Sequence, residues 1–329
     1  MNQINKSIGV VIPVYNCKRY IEETIKSIET QPLKVKEIVL IDDGSTDGSS
    51  EVCKELSKKY DNITYLYKEN GGVSTARNKG IDEITTDYII FCDADDVWVK
   101  GFLDYSVNRE LNQAFEIVAY EHYKGNDTLK KLQYIENKKE GIIEGGVKSI
   151  WAHGNRHLGC MFFLREFLIR YNIRFPEGLS YNEDEIFKVY TEVLCKKIKL
   201  INIPMYIYRQ HSESSVHNLN KSILERYKEW MAAWENVDLN LFNNYGIKTD
   251  FGKRFSEMYY VEMCVVYVES LQDITRLKEE KKKKQFNLNV YPDYMKSDAY
   301  LLYNHWSLFL LKHKLIGILR KAKGLLNFE

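Results

Sequence analysis

Short apolar runs alternate with helix-length amphipathic segments in the N-terminal third, and this alternation most constrains what the chain can fold into. Four β-branched runs have the length of strands, at residues 8–14, 37–41, 63–67 and 88–92. Three helical segments separate them, at residues 19–29, 49–60 and 74–83. This order indicates βαβ units, and continuous apolar runs are typical of parallel strands covered on both faces. The predicted fold class is α/β, with a mixed sheet flanked by helices.

Unusual polar residues follow each of these predicted strands. Asn16 follows the first strand, Asp43 the second, Gly71-Gly72 the third and Asp93-Ala94-Asp95-Asp96 the fourth. In open α/β sheets, ligands bind at the carboxyl ends of the strands. The sequence therefore predicts a ligand site at this edge.

The motif Asp93-Ala94-Asp95-Asp96 places three carboxylates within four residues. Their mutual repulsion raises their pKa values unless a cation offsets the charge. In extended backbone Asp93 and Asp95 point to the same side, and hard oxygen donors favour Mg²⁺ or Mn²⁺. An Asp-rich turn that caps the following helix is the alternative, and it is commoner for an isolated motif of this kind. The convergence of several motifs on one edge favours the metal site.

Two further loops have compositions that suit a nucleotide. Residues 41–48 run from strand to turn to helix, and an Asp carboxylate there can accept a hydrogen bond from a nucleobase N–H; ordinary turn chemistry explains the same residues. In residues 71–78, backbone amides and Arg77 can meet a diphosphate. Neither a G-x-G-x-x-G loop nor a phosphate-binding G-x-x-x-x-G-K-[ST] loop is present, which argues against a dinucleotide dehydrogenase and a P-loop NTPase.

Composition excludes several other classes of protein. With 47 Lys+Arg against 46 Asp+Glu, the formal net charge is +1, which argues against a nucleic-acid partner. The six cysteines have no C-x-x-C spacing, so we expect reduced thiols in a cytoplasmic protein. No apolar run approaches the ~20 residues that cross a bilayer, and no export signal is visible.

The motifs at residues 11–16, 41–48, 71–78 and 93–96, in this order, resemble those of the family-2 inverting glycosyltransferases, which have the GT-A fold. The similarity continues through residues 175–178, 182–187 and 208–211. It covers roughly the first two thirds of the chain, and residues 218–329 lie outside it.

The resemblance implies a nucleotide-sugar site with a divalent metal. Pro13, Tyr15 and Asn16 would line the nucleotide pocket, and Asp43 would accept from the uracil N3–H. Arg77 would lie near the diphosphate or help to hold Asp93.

The resemblance also implies the metal ligands and the catalytic base. Asp95 would bind Mn²⁺ or Mg²⁺ directly, while Asp93 would face the ribose or a metal-bound water. Asp184, beside Glu183, matches the position of the base. Tyr208-Arg209-Gln210-His211 would close over the diphosphate, with His211 as a further metal ligand.

An inverting transfer needs a carboxylate near the acceptor, because a hydroxyl is a poor nucleophile at neutral pH. Asp184 is the candidate for this role. An acidic first helical turn, stabilised by the helix dipole, is the alternative explanation of Glu183-Asp184-Glu185, and both can hold together.

We expect two regions, a GT-A domain at residues 1–217 and a helical region at residues 218–329. Residues 306–326 form a basic amphipathic segment, which suits either an anionic membrane surface or packing against protein. The aromatic residues of segments 227–234 and 258–267 are expected in a helical core. His153, His157 and His217 are expected in loops, since no metal-ligand spacing connects them.

The predicted function is transfer of a sugar from a UDP-sugar to a hydroxyl of a glycan or lipid-linked acceptor, in surface polysaccharide synthesis. The enzyme would be cytoplasmic, or peripheral on the inner face of the membrane. A sugar-nucleotide nucleotidyltransferase is one alternative, but it needs a basic glycine-rich loop where this chain has Tyr15-Asn16-Cys17. A non-catalytic membrane-attached scaffold is the other. Residues 151–163 are expected to form part of the donor-sugar pocket.

Overall fold

The computed structural model describes residues 6–137, 139–149, 152–179, 182–211 and 223–252. The chain divides into two compact units, residues 1–218 and 219–329. In the described part of the first unit, ten strands form one mixed sheet with helices around it, as the sequence predicts. A functional boundary after residue 217 stays a prediction.

The strands of the first unit, in chain order, are β1 (Ile8–Val14), β2 (Glu37–Asp43), β3 (Ile63–Lys68), β4 (Tyr88–Phe91), β5 (Val97–Trp98), β6 (Ile117–Asn126), β7 (Leu132–Ile135), β8 (Gly141–Glu144), β9 (Met161–Leu164) and β10 (Lys197–Gln210). Its helices are α1 (Ile21–Glu29), α2 (Ser49–Lys59), α3 (Val73–Glu83), α4 (Tyr105–Leu111), α5 (Arg165–Arg170) and α6 (Glu183–Leu194). Two short 3₁₀ turns lie at Val147–Ser149 and Leu158–Cys160.

The sheet has the strand order β3-β2-β1-β4-β9-β6-β10-β5, with β7 paired to β6 and β8 paired to β10. Strands β1 to β4 are mutually parallel, and β9 runs antiparallel to both β4 and β6. The predicted bounds of β1 to β4 and α1 to α3 are confirmed to within two residues. The polar ends of the four parallel strands therefore share one edge of the sheet.

The parallel half of the sheet is covered by helices on both faces. Strand β1 is apolar throughout, so both of its sides can be buried under these helices. Val10 and Ile12 point to the face covered by α1, whose Ile21 and Ile25 join the same core cluster. Val11 points to the opposite face, where α3 packs closely at Gly80. A Cβ at Gly80 would lie 2.2 Å from Val11 Cγ1, so a larger residue would push α3 away from the sheet.

Strand β10 is one continuous strand, although Pro204 lies within it. Its parallel register with β6 shifts between Leu200 and Pro204 and again between Pro204 and Tyr206. Proline has no N–H to donate, so the strand passes it with an irregularity rather than a break. This continuity carries β10 as far as Gln210, beside the acidic edge.

The described part of the second unit contains α7 (Ile223–Tyr245). Trp230 and Trp234 are buried in it, which confirms the expected helical core for this part of segment 227–234. The Asp238 carboxylate accepts hydrogen bonds from Phe251 N at 2.9 Å and Gly252 N at 2.7 Å. Segments 258–267 and 306–326 lie outside the described residues. Among the described helices, none is long and apolar enough to span a membrane.

Candidate active site at the carboxyl edge of the sheet

Asn16 joins the loops that follow β1 and β2. Its backbone adopts a left-handed conformation with φ 52°, which brings its side chain across to the next loop. Asn16 Oδ1 accepts from Thr46 N at 2.8 Å, and Asn16 N donates to Ser45 Oγ at 3.1 Å. Tyr15 beside it is 51% exposed. This geometry leaves an aromatic ring free to contact a ligand at the edge.

Asp43 at the end of β2 organises the loop that follows β3. Its side chain is buried, and its two oxygens accept from Gly71 N at 2.9 Å and Gly72 N at 2.8 Å. Lys68 also pairs with it. The carboxylate thus has contacts that the sequence does not reveal, while its predicted hydrogen bond to a uracil stays a prediction.

Arg77 links the acidic motif to the start of α6. Its Nη2 lies 2.9 Å from Asp93 Oδ1, and its Nη1 lies 2.8 Å from Glu183 Oε1. Burial alone would raise the pKa of Asp93, but the Arg77 charge lowers it below its usual range. Burial raises the pKa of Glu183. Of the two predicted positions for Arg77, the structure shows the contact with Asp93.

Asp95 and His211 lie together, although 116 residues separate them in sequence. Asp95 Oδ2 is 2.8 Å from His211 Nε2. The His211 ring also packs against Tyr20, with ring centroids 4.6 Å apart. Two residues that the sequence assigns to a metal are therefore adjacent.

Arg209 is fully engaged by protein groups. Its backbone N donates to Asp96 Oδ1 at 2.7 Å, and its Nε donates to the Asp95 carbonyl at 2.7 Å. The remaining guanidinium nitrogens bond the Asp127 carbonyl at 2.5 Å and Glu23 Oε2 at 2.6 Å. We therefore interpret Arg209 as a residue that fixes the acidic loop, and its predicted closure over a diphosphate stays a prediction.

His157 belongs to the acidic cluster. The sequence analysis does not identify it as a site residue, because it expects His157 in a loop with no metal-ligand spacing. Ligand atoms of Asp93, Asp96 and His157 all lie within 4.8 Å of one another. His157 precedes β9, which brings it beside the end of β4. Because β9 pairs antiparallel to β4, neither motif nor spacing could signal this contact.

Asp184 lies in the first turn of α6, as the sequence predicts. Its side chain is 28% exposed, and Asp184 Oδ2 lies 3.7 Å from the buried Lys188 Nζ. Lys188 also pairs with Glu185, and the N-terminal end of the helix favours negative charge. Asp184 is thus an accessible carboxylate next to two cations, Lys188 and Arg77.

Excess negative charge distinguishes this site. Burial and the charge of Asp93 raise the pKa of Asp95. Burial, followed by the charges of Asp95 and Asp93, raises the pKa of Asp96 well above its usual range. A bound cation would relieve this repulsion. Asp95 Oδ2 and His211 Nε2 contact each other directly at 2.8 Å, and both are atom types that bind Mn²⁺ or Mg²⁺, so a bound ion would take the place of this contact.

The segment expected to form the donor-sugar pocket has two different environments. Met161, Phe162 and Phe163 lie in β9 and are fully buried, so they cannot line a pocket. His153 is also buried, with its Nδ1 2.8 Å from Glu192 Oε1. His157 is partly exposed at the site. Trp151 and His217 lie outside the described residues.

Several known proteins are similar to this chain. EpsJ of Bacillus subtilis, named as an uncharacterized glycosyltransferase, is 27% identical over 257 residues, covering 73% of this chain and 71% of EpsJ. The minor teichoic acid biosynthesis protein GgaB of the same species is 32% identical over 218 residues, covering 64% of this chain and 24% of GgaB. The crystal structure of S. aureus TarS 1–349 in complex with UDP-GlcNAc has a TM-score of 0.65 at 16% identity, covering 96% of this chain and 92% of that one.

The mixed sheet and its likeness to TarS define a GT-A-like fold. Residues 9–171 match the family model described as Glycosyl transferase family 2. The chain belongs to this family of glycosyltransferases, and it is an enzyme of that class.

Proposed function

We propose that this enzyme is a metal-dependent, inverting glycosyltransferase that uses a UDP-sugar. The acceptor is a hydroxyl of a glycan or lipid-linked saccharide, and the product is a bacterial surface polysaccharide such as a capsule. One observation carries the proposal: Asp95 is 2.8 Å from His211, and Arg77 connects Asp93 with the first turn of α6, where Asp184 lies. A cation site and a candidate base are thereby held at one edge.

Asp184 acts as the base in this proposal. It is accessible, and it lies at a helix N-terminus where the helix dipole stabilises a carboxylate. An ionised Asp184 takes the proton of the acceptor hydroxyl as the oxygen attacks the anomeric carbon. One displacement inverts that carbon, so no covalent sugar–enzyme bond is needed.

The donor is bound by residues of the parallel half. Tyr15, with Pro13 and Asn16, lines the base pocket, and Asp43 accepts from the uracil N3–H through an oxygen lone pair. Mn²⁺ or Mg²⁺, held by Asp95 and Asp93 with His211, would offset the charge that grows on the departing diphosphate. Arg77 and Glu183 keep Asp93 in place.

The similar proteins support the choice of donor and product class. TarS was crystallised with UDP-GlcNAc and with UDP, and GgaB is named for teichoic acid biosynthesis. This support concerns the chemical class of the donor and of the polymer.

The arrangement of the chain completes the proposal. Residues 1–217 form the catalytic GT-A domain, and residues 218–329 form a helical region. We place the enzyme in the cytoplasm, at the inner face of the membrane through residues 306–326. Removal of residues 306–329 should reduce binding to anionic liposomes, and undiminished binding would reject this attachment.

A panel of nucleotide sugars tests the proposed function directly. Each donor is incubated with the enzyme in Mn²⁺, in Mg²⁺ and in EDTA, and release of the nucleotide is measured. We expect release of UDP from at least one UDP-sugar, with loss of the activity in EDTA. Little metal-dependent binding of UDP, with no release from any donor, would favour the non-catalytic scaffold. Pyrophosphate-dependent formation of UTP would favour the nucleotidyltransferase.

A further inference from the structure

The His157 ring is held in a fixed orientation at the mouth of the acidic cluster. It stacks against Tyr206 and Tyr208 of β10, with centroid distances of 5.1 Å and an interplanar angle of 20° in both cases. Gly159 N donates to His157 Nδ1 at 3.2 Å. Two aromatic contacts and one hydrogen bond therefore fix the direction in which Nε2 points.

The contact at Nδ1 determines which ring nitrogen carries the proton. Because Nδ1 accepts from Gly159, its lone pair is in use, and the proton of the neutral ring lies on Nε2. His157 Nε2 lies 3.8 Å from Asp93 Oδ2, which is too far for a direct hydrogen bond. The ring thus presents a donor at the site, and its side chain is 20% exposed.

The position of His157 relative to the proposed machinery indicates what this donor meets. His157 Nε2 faces Asp93, and Arg77 joins Asp93 to Glu183, the residue that precedes Asp184 in α6. In a single displacement, the transferred sugar must occupy the space between the base and the leaving diphosphate. A donor beside Asp93, which Arg77 connects to the start of α6, is therefore within reach of that space.

We propose that His157 is a specificity-determining residue whose Nε2–H donates a hydrogen bond to a hydroxyl oxygen of the transferred sugar. This inference rests on the proposed function, because it takes Asp184 as the base and a nucleotide sugar as the ligand. It assigns the sugar contact to one side chain within the broad segment 151–163.

Two substitutions separate the roles of the two ring nitrogens. In His157→Gln, the side-chain amide reaches the place of Nε2 and keeps a donor there, but no acceptor remains for Gly159. In His157→Asn, the shorter amide can accept from Gly159 but offers no donor at the Nε2 position. A third variant, His157→Phe, keeps the stack on the two tyrosines and has no donor.

Binding is measured by calorimetry in Mn²⁺ with two probes, UDP and the UDP-sugar that gives most UDP release in the panel. We expect all three variants to bind UDP within about twofold of the wild type. The Asn and Phe variants should bind the UDP-sugar about tenfold more weakly, the loss expected for one hydrogen bond, while Gln retains most of the affinity. The same order should appear in KM for the donor.

The reverse order, with Gln weaker than Asn, would overturn the inference, because it would show that the Gly159 contact is what matters. An equal loss of UDP and UDP-sugar would also overturn it, since His157 would then act through Asp93. Wild-type enzyme that binds neither probe would reject the proposed function itself, a result that is distinct from both. Thermal midpoints of the three variants confirm that each is folded.

Discussion

The two edges of the sheet use acidic residues in opposite ways. At the amino edge, Asp87 precedes β4, and its carboxylate accepts from Ser7 N at 2.8 Å, from Ser7 Oγ at 2.7 Å and from Lys6 Nζ at 3.0 Å. At the carboxyl edge, Asp95 and Asp96 repel each other and Asp93. The hydrogen bonds from Ser7 and Lys6 outweigh burial and lower the pKa of Asp87 to about 2, whereas the pKa values of Asp95 and Asp96 are raised.

This difference separates an acid that is stabilised by protein donors from acids whose ionised forms are disfavoured by burial and by neighbouring carboxylates. The amino edge also has an open groove of about 610 Å³, lined by Lys6, Asp87 and residues of α5. Its carboxylate is already satisfied by protein donors, so cavity size alone is a poor guide to function here. The raised pKa values of Asp95 and Asp96 mark the carboxyl edge as the candidate site, which the volume of a groove does not.

The largest effect should come from Asp184→Asn, which removes the base and keeps its size. We expect the transfer rate to fall by about 10²- to 10⁴-fold, while UDP binding changes little. Initial rates and calorimetry with UDP check both parts. Asp104→Asn, the same change at the N-cap of α4, should leave the transfer rate intact. Near-normal transfer by Asp184→Asn would remove Asp184 as the base.

Asp95→Asn should have the next largest effect, because it removes one of the charges that a cation offsets. We expect affinity for UDP in Mn²⁺ to fall by about 10- to 100-fold, while the weaker binding in EDTA stays the same. Asp87→Asn is the matched control at the opposite edge and should not change UDP binding. If Asp95→Asn kept the wild-type response to metal, the contrast between the two edges would not reflect a cation site.

The parallel half of the sheet could be predicted from the sequence because its signals are local. Apolar runs define β1 to β4, and the residues that follow each run must meet at one edge once the strands are parallel. The family resemblance adds two alternative positions for Arg77, near the diphosphate or beside Asp93, and the structure shows the contact with Asp93. The strands and their shared edge follow from short-range sequence patterns and from one rule, that ligands bind at the carboxyl ends of parallel strands.

The other half could not be predicted in the same way. Strand β9 has four residues, and its antiparallel place between β4 and β6 depends on long-range pairing. His157 reaches the acidic cluster only through that pairing. The contacts of Arg209 with Glu23 and the Asp127 carbonyl likewise join residues 186 and 82 positions apart. No local sequence pattern indicates a contact between residues so far apart in the chain.

Arg209→Lys should have a smaller, structural effect. Lysine keeps the charge but cannot make the divergent contacts to the Asp95 carbonyl, the Asp127 carbonyl and Glu23. We expect a loss of about 1–2 kcal/mol in the free energy of unfolding, with several-fold weaker UDP binding in Mn²⁺ as the acidic loop loosens. Urea denaturation and calorimetry measure the two effects.

Arg19→Lys is the matched control for this substitution. Arg19 also contacts Asp127 and lies over the Tyr20 ring, but its side chain is 60% exposed. Exposed ion pairs contribute little, so this variant should stay within about 0.5 kcal/mol of the wild type. Equal effects of the two substitutions would show that burial of Arg209 does not matter for the acidic edge.

The smallest effect should be the pH dependence of Asp87→Asn, which tests the amino edge. The folded-state pKa of Asp87 lies near 2, below its ordinary value of 3.8, so the ionised carboxylate stabilises the fold above pH 4. That contribution is lost as the pH falls through about 2. Because the side chain is 37% exposed, we expect a destabilisation of about 1 kcal/mol or less at pH 7.

Urea denaturation at pH 7 and at pH 3 should show that the difference in stability between wild type and variant becomes smaller at the lower pH. If the difference in the free energy of unfolding were the same at pH 7 and pH 3, Asp87 would stabilise the fold through hydrogen-bond geometry and not through its charge. The contrast with Asp95 would then have no electrostatic basis.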